Sequence, residues 1–290
     1  MSSRPALPVD CTIGPMRAEE VPTLTAWAAA EGWNPGLGDV AVAWSFDPDA
    51  FIALRRGDEL IGGGTVLSYD GAYGFMGLFI VRADERHHGL GDVLWHHRRD
   101  LLLRRLQPSA AIGMDGVFDL VPYYERGGFR LAYRDLRFDG IARGGFDAGV
   151  VDGAQLDPAQ VEAFDRRHSV APRPVFLRRW LAAPGVRSAG LLRDGELVAF
   201  AALRPCLVGH RFGPVHAATV DDAARVMGHL MAAVDGEPVQ LDVPEPNEAA
   251  LAVASGWSMT ESFGCARLYL GLMPQLPVGR IFGVTSFEFG

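Results

Sequence analysis

The chain has 290 residues, 49% hydrophobic and 21% charged, with a formal net charge of −8 and three cysteines. That composition excludes a disordered chain and is large enough for two ordinary domains. The negative charge argues against nucleic acid or an anionic membrane as partner, no apolar stretch approaches the roughly 18–20 residues of a bilayer span, and residues 1–8 carry no apolar segment of an export signal.

Cys11, Cys206 and Cys265 are far apart in sequence and odd in number, which points to a reducing cytoplasm and against a disulfide framework or a zinc site. All 27 basic residues are arginine, so a Schiff-base lysine and a Walker lysine are both impossible.

In chain order, residues 18–30 have helical apolar spacing, with Val21, Leu24, Trp27 and Ala28 on one face. A Gly/Pro-rich segment at 31–38 precedes a short helical stretch. Residues 51–55 and 59–68 read as a hairpin across Gly57-Asp58, and 75–81 as a buried strand. Next come Arg86-His-His-Gly-Leu-Gly91 and a helix over 91–106. Residues 110–114 are a further strand, and 120–126 a short helix stopped by Gly127-Gly128. Residues 129–138 supply a last strand pair.

Strand, glycine loop and helix start in that order make a phosphate cradle. Glycines let backbone N–H groups face an anion, and the helix dipole favours negative charge there. The spacing is not that of a P-loop. With two glycines and Leu106-Gln107-Pro108 where a ribose-binding acid is required, a dinucleotide oxidoreductase fits poorly.

The loop resembles the Arg/Gln-x-x-Gly-x-Gly/Ala cofactor motif of the GNAT superfamily of N-acetyltransferases, and Tyr124-Glu-Arg-Gly-Gly-Phe129 is similar to that superfamily's Tyr-x-x-x-Gly-Phe. Residues 12–140 follow the element order of the GNAT core. After a linker at Gly144, Gly145 and Asp147 the order repeats. There are helices at 157–167 and 175–183, a hairpin across Asp194-Gly195, a helix at 221–234, a strand at 239–243, and a short helix leading to Gly256-Trp257. The expected class is α/β (mixed α+β), as tandem GNAT folds, each a mixed, mostly antiparallel sheet flanked by helices. Residues 1–142 form the acyl-CoA-binding domain, and 143–290 a degenerate copy that shapes the acceptor site. That copy has Gly213-Pro-Val-His in place of the glycine loop, and proline removes a backbone donor. Residues 280–290, with Arg204-Pro-Cys and Gly213-Pro214, resemble a two-domain bacterial branch of the superfamily.

The resemblance implies that Phe79, Ile80 and Val81 bind the pantetheine arm through their backbone. It likewise implies that Arg86, His87, His88, Gly89, Leu90, Gly91 and Asp92 hold the pyrophosphate of acetyl-CoA. Tyr124 is the expected general acid, since a phenol of pKa about 10 can protonate a thiolate of about 8.5; Tyr123 is its competitor. Many members use a glutamate on the central strand as base, but 75–81 contains no acid. Asp115 acting through a water, and after it Asp119, are the candidates, though helix or turn capping is the commoner role for an aspartate in such places. Trp33 and Asn34 lie where the acceptor pocket is expected. His87/His88 and His96/His97 lack zinc-motif spacing, and no metal is expected. His96/His97 read as helix surface; Arg98, Arg99, Arg104 and Arg105 read as a solvated helix face, with contact to the 3′-phosphate of CoA as the alternative. The expected activity is an acetyl-CoA-dependent N-acetyltransferase acting on a primary amine of a small molecule or peptide in the cytoplasm, with a homodimer as the candidate assembly. A non-catalytic CoA or amine sensor is the alternative.

Overall fold

β1 (Cys11–Pro15) is the first strand of the computed structural model, which describes residues 6–290. The first five of the residues read above for an export signal lie outside the described residues. There follow α1 (Val21–Ala30), α2 (Asp39–Phe46), β2 (Phe51–Arg56), β3 (Glu59–Tyr69), β4 (Tyr73–Val81), α3 (Leu90–Arg105), β5 (Ala111–Gly116), α4 (Val121–Arg126) and β6 (Arg130–Ile141). The second half repeats them as β7 (Val150–Asp152), α5 (Pro158–Arg166), α6 (Pro174–Leu181), β8 (Arg187–Arg193), β9 (Glu196–Pro205), β10 (His210–Ala217), α7 (Val220–Ala232), β11 (Pro238–Pro244), α8 (Glu248–Gly256) and β12 (Thr260–Leu270). A tail strand, β13 (Ile281–Gly283), is extra.

Local chemistry accounts for many of the boundaries. Asp157, Thr219 and Asn247 cap α5, α7 and α8 by accepting backbone N–H bonds from the first turn. Asp194 and Gly195 both take positive φ, 54° and 82°, as a two-residue hairpin turn between β8 and β9 requires.

The strands form one sheet in the order β1-β2-β3-β4-β5-β12-β6-β11-β10-β9-β8-β7, with β13 beside β10. Among these pairings β4–β5 and β10–β11 are parallel and the others antiparallel. The halves exchange their last strands: β12 pairs with β5, and β6 pairs with β11. Where the sequence suggested a strand pair at 129–138, a single long strand stands. β6 has a partner on each side from the other half, so it needs no return turn.

The core is shared in the same way. On one face of β2–β4, Leu24, Phe51, Tyr69 and Phe75 pack with Phe176 and Trp180 of α6 and with Phe289 of the tail. On the opposite face α3 and α4 bury Leu94, Trp95, Leu102 and Tyr124. A side chain such as Phe176, with no exposed surface, contributes roughly 1.5–3 kcal/mol by burial.

Candidate active site

β4 and β5 are paired only from Tyr73↔Ala111 to Met76↔Met114, and beyond that point they part. Gly77–Val81 then lie on one side of a cleft, with Asp115 and Gly116 on the other. A cavity of about 390 Å³ fills the gap, with Gly77, Leu78, Phe79, Ile80, Val81 and Tyr124 in its wall. The β3–β4 register slips between Gly63 and Thr65, and Leu78 has φ 48°. Beside this slip the Thr65 and Gly77 carbonyls both accept from Arg98 Nη2, at 2.7 and 2.6 Å. Arg98 is therefore not part of a solvated face: it is 1% exposed, and its Nε and Nη1 have no hydrogen-bond partner among the described residues. Burial pushes its pKa down to about 9. Its neighbours on α3 are also engaged. Arg105 pairs with Asp47, and Arg99 lies over the Trp95 ring. His96, expected on the surface, packs half-buried against Trp95 with Asp92 3.6 Å away.

At the mouth of the cleft the glycine loop enters α3. Gly89 is the N-cap residue with φ 77°, a conformation that a Cβ disfavours. The first helical bond runs from Val93 N–H to the Gly89 carbonyl, so the N–H groups before it lie ahead of the ladder, at the positive end of the helix dipole. Phe79, Ile80, Val81, Arg86, His87 and Gly91 line the cavity; His88, Gly89, Leu90 and Asp92 are not in its wall. The Leu90 side chain is core, and Asp92 accepts a 2.7 Å bond from Tyr123. Arg86 is tied within the protein, to the Val81 carbonyl and to Glu31 across the cleft mouth.

That bond also separates the two tyrosines. Tyr123 is held away from the cavity by Asp92, whereas Tyr124 is 3% exposed, in the cavity wall and stacked on Trp95. Burial raises its pKa to about 12. Its ring lies where a side chain on Gly116 would be, so the glycine at the end of β5 makes room for it.

Asp115 borders the cavity, but both its oxygens accept from Arg267 of β12, at 2.5 and 2.7 Å. Burial raises its carboxyl and the Arg267 guanidinium opposes that rise. With both oxygens engaged, it offers a poor seat for the activating water expected of it. Asp119 is not in the cavity wall.

Trp33 lines the cavity, but Asn34 does not. Its side chain bonds instead to Val208 and Gln240, clasping the 31–38 loop to the second half. Arg137 and Arg211 reach the same loop through the Trp33 carbonyl, at 2.8 and 3.0 Å. Arg137 also holds Asp242 through two bonds of 2.6 and 2.8 Å.

The second half has the corresponding cleft, between β10 and β11, which pair only at His210↔Val239 and Arg211↔Gln240. It is filled. β13 pairs with β10, and Val284 N–H donates to the Asp242 carbonyl of β11. The tail then continues into the first half, where Phe287 and Glu288 line the cavity. Phe263 and Cys265 of β12 and Arg137 of β6 complete that wall. The motif reading missed these five residues because they come from exchanged or trailing segments. The one sequence signal was the aromatic alternation around the single acid of Phe287-Glu288-Phe289.

Residues 161–283 match the acetyltransferase (GNAT) domain family, in the half that lacks the glycine loop. Over 285 residues the chain is 27% identical to holothin acyltransferase of Pseudoalteromonas sp. (strain SANK 73390), covering 96% of this chain and 94% of that protein. Its fold is similar to that of a putative acetyltransferase from Pyrococcus horikoshii, with TM-score 0.84 and 17% identity over 100% of this chain and 99% of that one. It is also similar to a tandem GNAT protein from the clavulanic acid biosynthesis pathway, with TM-score 0.62 and 15% identity over 91% and 99%.

Proposed function

We propose, for a chain that belongs to the GNAT superfamily and is an acyltransferase, that it moves an acetyl group from acetyl-CoA to a primary amine of a small molecule or peptide, by direct attack within a ternary complex. The observation that carries this reading is the parting of β4 from β5 at the N-terminus of α3, with Tyr124 in the wall of the gap. When bound, acetyl-CoA supplies the activated acyl group as a thioester. The backbone of Phe79, Ile80 and Val81, free of a β5 partner, bonds the pantetheine amides. The loop from Arg86 to Asp92 receives the pyrophosphate on N–H groups at the start of α3. N–H groups at the Leu78 bulge would stabilise the charge that develops on the thioester oxygen. Tyr124 protonates the departing thiolate, and the buried Arg98 charge favours that anion.

In this reading residues 1–142 carry the donor site, and residues 143–290 wall the acceptor side through Arg137, Phe263 and the tail. β13 keeps the second cleft from taking a cofactor of its own. The acceptor enters past Trp33. Three free, buried cysteines fit a cytoplasmic location. Because the halves already join their sheets within one chain, a homodimer would form through other faces. Release of CoA from acetyl-CoA across a panel of primary amines, with the acetylated product identified by mass spectrometry, tests the reaction. Tight binding of acetyl-CoA without any release would favour a sensor.

A further inference from the structure

Glu288 is 5% exposed, borders the cavity, and its Oε2 has no hydrogen-bond partner among the described residues. The other carboxylates in the cavity wall are engaged, Asp115 by Arg267 and Glu31 by Arg86. A buried carboxylate oxygen left unpaired costs stability unless something else enters to satisfy it. Here the carboxylate belongs to a residue that lines the cleft between β4 and β5.

The tail that carries it is held firmly. Tyr69 Oη donates to the Phe289 carbonyl at 2.6 Å, and Arg173 donates to Thr285 Oγ1 and to the Gly290 oxygen, both at 2.8 Å. Ser286 Oγ accepts from the backbone N–H of Glu288 and of Phe289, at 3.1 and 3.0 Å. The Glu288 backbone packs against Gly77, at the β4 bulge where the strand separates from β5. Phe287, Phe263 and Trp33 supply an apolar surround on the acceptor side.

We infer that Glu288, delivered by the tail, is the general base that the central strand lacks; this rests on the acyltransferase reading above. The neutral amine attacks the acetyl carbonyl carbon, a C–N bond forms and the C–S bond breaks. The proton shed by nitrogen goes to the Glu288 carboxylate, and the thiolate takes the Tyr124 proton. Glu288 then returns a proton through solvent to Tyr124, so that amine and acetyl-CoA become amide and CoA with nothing left over. The aromatic surround makes the acceptor a primary amine on an apolar or aromatic body.

The test uses the full chain with acetyl-CoA as probe, both with the amine panel and with water as acceptor in single-turnover hydrolysis. Glu288→Gln should slow CoA release about 100-fold while the stabilisation by acetyl-CoA stays as in wild type. Glu288→Ala should be equally slow, and added formate should restore at least about 10-fold in that variant alone, because only it leaves room for a small carboxylate. A merely structural role would not respond to formate. Release by Glu288→Gln within about threefold of wild type, or no formate rescue, overturns the assignment and leaves the acyltransferase reading standing. A wild type that neither binds acetyl-CoA nor releases CoA overturns both.

Discussion

The carbonyl oxygen of Glu288 occupies the space beside β4 that a side chain on Gly77 would need. The C-terminal tail is thus seated against the very bulge that shapes the cleft, and the seat exists because residue 77 has no Cβ. Gly77→Ala should push the tail off the strand and cost about 1–3 kcal/mol, the usual penalty for overpacking a filled site. CoA release should fall about 10-fold or more, since the Glu288 carboxylate moves with its backbone. Urea unfolding and turnover measured on the same preparation check this. A variant as stable and as active as wild type would show that the tail is not pinned there.

Tyr124→Phe tests the general-acid role proposed for the phenol. The ring and its stacking on Trp95 survive the change, so the stabilisation by acetyl-CoA should be unaltered. Turnover should drop about 10- to 100-fold. Burial lifts the phenol to about 12, so it stays protonated at every practical pH. The wild-type rate should accordingly show no loss on the alkaline side attributable to this group below about pH 11. An alkaline limb near neutrality that vanishes in the variant would contradict that.

Acid should weaken the second half, where the end of α5 packs on β10. The His168 ring stacks on His216 with centroids 4.6 Å apart, and His168 Nδ1 faces the Phe164 carbonyl at 2.8 Å. Burial, and then the His216 charge, lowers His168 from 6.5 to about 4; burial also lowers His216. Of the charges facing this pair, Asp165, 3.9 Å from His216, favours protonation, while Arg173 opposes it. In the unfolded chain His168 takes a proton as pH falls through 6.5, whereas in the folded chain it does so only near 4. Its contribution is therefore complete above 6.5 and is lost progressively between 6.5 and 4, amounting to about 3 kcal/mol. Melting temperature against pH should fall across that window, and His168→Gln should flatten the slope. An unchanged slope would place the acid sensitivity elsewhere.

The placing of the glycine loop at the start of α3 and of Tyr124 on α4 was legible because both signals are local. A backbone cradle needs Gly89 and Gly91 at fixed spacing, and a tyrosine one turn before a Gly-Gly stop projects from a known face. The tandem order was legible for the same reason, from periodicity and turn residues. What stayed hidden depends on which segments meet. β6 and β12 read identically whether each completes its own half or the other, because a strand's pattern records burial and not its neighbour. Arg98 looked solvated because nothing in the helix signals a bulge that turns two carbonyls toward it. Asn34 sat in the expected loop but spends its amide on Val208 and Gln240. The clasp partners lie more than 170 residues away in sequence, as with Asn34 and Val208. Asp115 appeared available because its partner, Arg267, comes from an exchanged strand.

The central claim is that the first cleft holds acetyl-CoA on the start of α3. Thermal stabilisation by acetyl-CoA, with NAD and ATP as controls, on wild type and Gly89→Val tests it most directly. At about 100 times its dissociation constant the donor should add roughly 2.7 kcal/mol to the wild type. The valine variant should show no such gain, since a β-branched residue opposes the left-handed φ of 77° and its side chain crowds the loop. A gain specific to acetyl-CoA and absent from Gly89→Val is the predicted result. No gain in wild type, or an equal gain in a folded Gly89→Val, would contradict the account.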